Sequence, residues 1–192
     1  MPRQGLGKES ILQAAMALIE EKGIAQFSMG ELAKRLNVKP ASLYNHVDSL
    51  HDLLEQIGLA AISRLTEAEN QAIQGKQKDE ALFSLAEVYR FFAREHAQLY
   101  RLILGLSKLD SQVLEKGAGD IVQPILHVLS TYGLREHQQY HWQRVLRGVM
   151  VGFAVHEHAG GFSRFPVDEN ESYRIAIQCI AEGLHRAGKE AE

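Results

Sequence analysis

Apolar side chains recur at three- and four-residue steps along most of this chain, and no stretch shows the strict alternation of a half-buried strand, so the pattern predicts an all-α fold. Ile11, Ala15, Leu18 and Ile19 make one stripe of a first helix from about Lys8 to Lys22, which Gly23 ends. Ile24 to Phe27 read as a short connector. Ser28, with Glu31 three residues on, is a capping-box pattern that opens a second helix; Leu32, Ala33 and Leu36 turn inward and Asn37 closes it. Lys39-Pro40 opens a third, because the first turn has no use for the N–H that proline lacks. At about 100° per residue, Leu43, His46 and Val47 gather on one side of it while Ala41, Tyr44 and Asn45 point away.

Asp48 is placed to cap a long fourth helix through about Asn70, and Gly75-Lys76-Gln77-Lys78-Asp79 marks a loop. Further helices are expected near residues 79–95, 97–105, 110–131, 136–158 and 169–187, with Pro124 bending or interrupting the middle one and Asp168 and Glu171 repeating the capping box before the last. The expected architecture is therefore a three-helix head of helix-turn-helix type over residues 6–66, including the start of helix four, and a helical-bundle body over residues 67–192, about nine helices in all.

Composition narrows the setting. The longest apolar runs, such as Gly148 to Val155, fall well short of the ~18 residues of a membrane span, and no signal pattern follows Met1. A cytoplasmic protein that does not engage membranes is expected. The single Cys179 lies in an apolar helical pattern and is expected to be buried and inert. The net charge of -3 argues against indiscriminate coating of nucleic acid. Residues 1–50 carry six Lys and Arg (Arg3, Lys8, Lys22, Lys34, Arg35, Lys39) against five acids, so the head is the less acidic part.

A helix that enters the major groove needs small side chains for close approach and polar ones for base edges and phosphates. Ala41 and Ser42 meet the first need, and Lys39, Tyr44, Asn45 and His46 the second. Asn45 can bond a base edge and the Tyr44 hydroxyl a phosphate, while Lys39 adds charge beside Pro40; Ser28 marks another helix N-terminus that favours phosphate. By residue type alone, an ordinary helical hairpin with a solvated polar surface fits equally well.

Leu43, Tyr44, His46 and Val47, preceded by Leu36-Asn37-Val38, follow a Leu-Tyr-x-His-Phe/Val pattern with ungapped spacing from Ser28 to Asp48. On these residues the segment 8–54 resembles the head of the tetracycline-repressor (TetR) family. The resemblance implies a ligand-responsive transcriptional repressor that binds a palindromic operator in double-stranded DNA as a homodimer, with contacts at Ser28, Lys39, Ser42, Tyr44, Asn45 and His46 and with Pro40 and Ala41 in the same surface. One departure is Leu50, where family members commonly carry a lysine; one phosphate contact fewer should flatten the salt dependence by about one charge. The body, less specifically, resembles a family C-terminal domain across Leu146 to Phe153 and Glu157…Gly160-Gly161-Phe162. Such bodies bind a small-molecule effector and dimerise through their last two helices; no cofactor is implied, and the identity of the effector does not carry over.

Gly148 and Gly152, four apart inside a helix, call for a close-packing reason. With Val145, Val149, Ile177, Ile180, Ala181 and Leu184 they form a candidate dimer surface, and packing within one subunit is the alternative. Tyr89, Phe92, Tyr100, Trp142 and Phe153 are candidate linings of an effector cavity, or simply core. Arg147, in an otherwise apolar helix, needs a carboxylate from ligand or protein if buried. His137 and His141, then His156, Glu157 and His158, raise an alternative reading as a helical-bundle metal protein or enzyme, but they lack a matched set of ligands, and Gly117-Ala118-Gly119 lacks the flanks of a phosphate cradle. Neither catalysis nor a bound metal is expected. A relative that acts only through protein partners is the remaining alternative.

Overall fold

The computed structural model describes residues 6–105 and 119–190. Arg3, Gly117-Ala118 and the beginning of the helix expected over residues 110–131 lie outside the described residues. The described residues contain nine α-helices and no strand: α1 (Lys8–Lys22), α2 (Met29–Leu36), α3 (Pro40–Leu43), α4 (Leu50–Ile73), α5 (Lys78–Glu95), α6 (Ala97–Gly105), α7 (Gln123–Ser130), α8 (Glu136–His158) and α9 (Glu169–Lys189). They divide into two compact units, one drawn from Met1–Ser63 and His96–Gly117, the other from Arg64–Glu95 and Ala118–Glu192.

In the first unit the predicted stripe of α1 is buried, and α1 packs on α2 and α6. Gly23, at φ 80°, ends α1 in a backbone conformation that L side chains rarely adopt, and its N–H reaches Ile19 O at 2.8 Å. Ser28 caps α2, its Oγ accepting the Glu31 N–H at 3.2 Å, while the Glu31 carboxylate turns to Lys22. The cap of α4 is Ser49 and not the expected Asp48. Ser49 Oγ accepts from Asp52 N–H at 3.0 Å, and the Asp52 carboxylate accepts from Asp48 N–H at 3.1 Å. Ser49 stands three residues before Asp52, whose N–H it receives, and the Asp52 carboxylate reaches back one residue past the cap to the N–H of Asp48.

In the second unit α5 packs on α7, α8 and α9. Pro124 sits in the first turn of α7, where the helix begins instead of bending. Asp168 caps α9 through the Asn170 N–H at 2.9 Å and not through the expected pairing with Glu171. Two glycines of α9 carry the close approaches. A Cβ at Gly183 would stand 2.4 Å from the Trp142 ring, and one at Gly188 would stand 2.2 Å from Tyr132 O. Gly148 and Gly152, where close packing was expected, have nothing among the described residues within 4 Å of that position, so they serve no packing among those residues. Cys179 is exposed, which corrects the expectation of burial: it lies off the α9 stripe of Tyr173, Ile177, Ile180, Ala181, Leu184 and Gly188 that faces the core.

Arg90 ties three helices together. It donates from Nε and Nη2 to both Glu157 oxygens, at 2.9 and 2.7 Å, and from Nη1 to Asn170 Oδ1 at 3.0 Å. Its guanidinium also lies over the Phe153 and Tyr173 rings, at 5.1 and 4.9 Å. The hydrogen bonds from Arg90 hold the Glu157 carboxyl below its usual range, so the stability of the pair is present at neutral pH and is lost as pH falls through the folded-state value. Glu157→Ala leaves a buried guanidinium short of a counter-charge and should cost about 3 kcal/mol in urea unfolding at pH 7; a change under about 0.5 kcal/mol would show that the pair behaves as a surface ion pair.

Candidate nucleic-acid interface

The α2–α3 turn is built from three local constraints. Asn37 takes the left-handed conformation (φ 53°, ψ 45°), its N–H and that of Val38 close on Ala33 and Lys34 carbonyls, and Lys39 (φ -76°, ψ 142°) leads in extended form into Pro40. Helix α3 is four residues long and continues as turns, with His46 N–H and Val47 N–H both reaching Leu43 O, at 2.9 and 3.1 Å. Leu43 and Val47 are 0% and 4% exposed and anchor this segment. Lys39, Pro40, Ala41, Tyr44 and Asn45 are exposed, Tyr44 at 53%, whereas Ser42 and His46 are half-buried. Ser28 is exposed at the start of α2. The structure thus brings seven of the eight predicted residues into one short stretch, with Ser28 at the head of the preceding helix.

Electrostatics sorts the cations of this unit. Arg35 makes a bidentate pair with Glu21, at 2.6 and 2.9 Å, and Lys22 pairs with Glu31; each cation, through its hydrogen bond, holds its carboxyl partner below the usual range. Lys34 and Lys39 are exposed and have no ion-pair partner among the described residues. Leu50 is 37% exposed at the start of α4.

The predicted effector residues are divided between the units. Tyr100 belongs to the first unit, and the other five belong to the second. Tyr89 and Phe92 are 1% and 5% exposed, Trp142 lies against Gly183, and Phe153 is stacked with Phe162, Tyr173 and Arg90. A cavity of about 330 Å³ in the second unit is lined by Phe83, Glu87, Arg90, Asn170 and Arg174 among others, none of which was predicted to line an effector cavity. Of the predicted dimer residues, Ile177, Ile180, Ala181 and Leu184 are buried in the chain's own core, while Val145 and Gly148 are exposed. Glu157 is engaged by Arg90, and no three His, Cys, Asp or Glu side chains converge among the described residues.

Three buried charged residues were missed among the described residues: Glu55, Glu69 and Arg90. Glu69 on α4 is 0% exposed, neither of its oxygens receives a hydrogen bond, and burial raises its pKa to about 8 against a smaller opposing pull from Arg147. Its signal was its spacing, one turn from Leu65 and one from Ile73 on an inward stripe. The unfolded chain releases this proton near pH 4.5 and the folded chain near 8, so stability falls as pH rises between those values. Glu69→Gln should remove that slope: across this window the wild type should lose up to about 1.4 kcal/mol per pH unit relative to the variant, read from parallel urea melts, and parallel curves would contradict the assignment.

A family profile described as "Bacterial regulatory proteins, tetR family" matches residues 11–57, and one described as "Tetracyclin repressor-like, C-terminal domain" matches residues 82–180. An uncharacterized HTH-type transcriptional regulator of Mycobacterium tuberculosis is 29% identical over 185 residues, covering 94% of this chain and 83% of that protein. A Rhodococcus sp. RHA1 protein of unknown function shares the fold with a TM-score of 0.81 at 21% identity, over 96% of this chain and 99% of that one. A TetR variant from Acinetobacter baumannii AYE, solved in complex with minocycline, does so with a TM-score of 0.70 at 18% identity, over 95% and 98%. No described helix is long and apolar enough to cross a membrane. The helix-turn-helix geometry of the first unit and the two profile matches agree, and the chain belongs to the tetR family of DNA-binding transcriptional regulators.

Proposed function

We propose that this regulator is a ligand-responsive repressor that binds a palindromic operator as a cytoplasmic homodimer, without cofactor or catalysis, each α3 entering a major groove. The observation that carries this reading is the division of the α3 segment: Leu43 and Val47 are buried while Lys39, Ala41, Tyr44 and Asn45 are exposed together. In this reading Asn45 reads a base edge and Tyr44, Lys39 and Ser28 hold phosphates. Pro40, Ala41 and Ser42 allow close approach, and His46 completes the surface from its half-buried position. Selection from a random duplex pool should return an inverted repeat with half-sites about one helical turn apart. Tyr44→Ala and Asn45→Ala should each weaken the selected duplex at least tenfold, about 1.4 kcal/mol, and Asn45→Ala should also relax preference at one position of each half-site. No enrichment at moderate salt would overturn the reading.

The dimer is assigned to the outer faces of α8 and α9. Val145, Gly148, Gly152 and Val155 follow one side of α8, and Ile175, Gln178, Cys179 and Glu182 lie on α9 away from its buried stripe. Val149 borders this face half-buried. Exposed Val and Ile beside a glycine with open space at its Cβ position suit close apposition of a second copy. Gly148→Trp should leave helicity and the monomer fold intact and halve the mass measured by light scattering; an unchanged dimer mass would place the interface elsewhere.

A further inference from the structure

Helices α5 and α9 pack together and leave a groove between one stripe of each. Phe83, Glu87 and Arg90 on α5 and Asn170, Arg174 and Ile177 on α9 follow at four- and three-residue steps, and they line the cavity of about 330 Å³. Arg90 donates to Asn170 at 3.0 Å and the Tyr173 hydroxyl donates to Ala86 O at 2.8 Å, so the helices run antiparallel and Glu87 stands level with Arg174 across the groove. The Arg90 charge is matched by Glu157. The other two charges on the lining are not matched: Glu87 and Arg174 are exposed, and neither makes an ion pair or hydrogen bond with a described residue. Below them the groove is apolar, with Tyr173 and Ile177 buried and Phe83 half-buried.

We propose that this groove is the effector site and takes a small amphoteric molecule, its carboxylate on Arg174, its ammonium on Glu87 and its apolar body against Phe83, Tyr173 and Ile177. The effector role rests on the ligand-responsive reading above; binding itself does not. A ligand with only an anionic group would set it near the Glu87 carboxylate, and one with only a cationic group would set it near the Arg174 guanidinium, so a molecule with both is favoured over either. Arg90 adds a fixed donor: Glu157 and Asn170 take three of its five N–H groups and hold the guanidinium in place on the lining. Direct pairing of Glu87 with Arg174 is weak competition, because an exposed ion pair gains little in water. The volume is at the lower end of the range of ligand pockets, about 300–1,000 Å³, which suits a body no larger than a single ring.

The test uses one ring and chain with three sets of charges: L-phenylalanine carries both, hydrocinnamate the carboxylate alone and phenethylamine the ammonium alone. Calorimetric titration into the full-length protein should show L-phenylalanine binding about tenfold more tightly than either of the others, the worth of one charge-assisted hydrogen bond. Glu87→Gln should weaken L-phenylalanine and tighten hydrocinnamate; Arg174→Gln should weaken L-phenylalanine and tighten phenethylamine. Both side chains are exposed, so native helicity should persist by circular dichroism, and a merely structural effect would not produce this crossed pattern. Equal binding of the three probes, tighter binding of a singly charged one, no binding of any, or an unchanged L-phenylalanine affinity in either variant would overturn the proposal. Duplex selection is read separately: an enriched operator without this charge preference sinks the groove assignment alone, whereas the preference without an operator sinks the regulator reading and leaves the binding groove standing. With both in hand, saturating L-phenylalanine should lower the affinity for the selected duplex, and an unchanged affinity would overturn the effector role.

Discussion

Leu43 and Val47, both buried, anchor the third helix to the core. A helix of four residues cannot sustain itself, because fixing its first turn costs more than the single hydrogen bond it gains. Its orientation therefore comes from outside: from two side chains 0% and 4% exposed, from Asn37 in the left-handed conformation, and from Pro40 presetting the first turn. Once those are fixed, helical geometry leaves Ala41, Tyr44 and Asn45 facing out. The surface that can meet DNA is thus a by-product of core packing one residue away from it.

The same division operates in the second unit, with a different outcome. On α9 the inward stripe from Tyr173 to Gly188 is dense enough that glycine is required at two places, under the Trp142 ring and against the Tyr132 carbonyl. On α8 the glycines stand where the described residues place nothing. Glycine in a helix costs about 1 kcal/mol relative to alanine wherever it stands, so its presence signals close approach without saying whether the approaching surface belongs to the same chain. The expectation that Gly148, Gly152 and the α9 aliphatics share one face joined two different faces for this reason.

Much of the head was legible in the amino-acid sequence, and the reason is local. Caps, left-handed turn residues, an N1 proline and three- and four-residue apolar spacing are properties of neighbours in sequence, so α1 was expected with its observed bounds and α2 with its observed cap. What was not legible depends on partners distant in sequence. Helix α6 follows α5 in the chain yet packs on α1. Cys179 sits among apolar residues in sequence, but it occupies the side of α9 that its own core does not use. The aromatic residues were legible as large and apolar, but whether they line a cavity or fill the core depends on what faces them.

Charged residues on inward stripes carry the information that hydrophobic periodicity leaves out. Arg90 interrupts the apolar stripe of α5 just as Glu69 interrupts that of α4, and from sequence the two are alike. Their surroundings separate them. Arg90 meets Glu157 and Asn170 from two other helices and so fixes how α5, α8 and α9 pack. Glu69 meets no donor, and it lies on a helix that is continuous from Leu50 to Ile73 and whose residues up to Ser63 belong to the unit that carries α3. Burial holds the Glu69 proton to about pH 8, so its contribution to stability falls as pH rises, the opposite of the Arg90–Glu157 pair, whose contribution falls as pH drops.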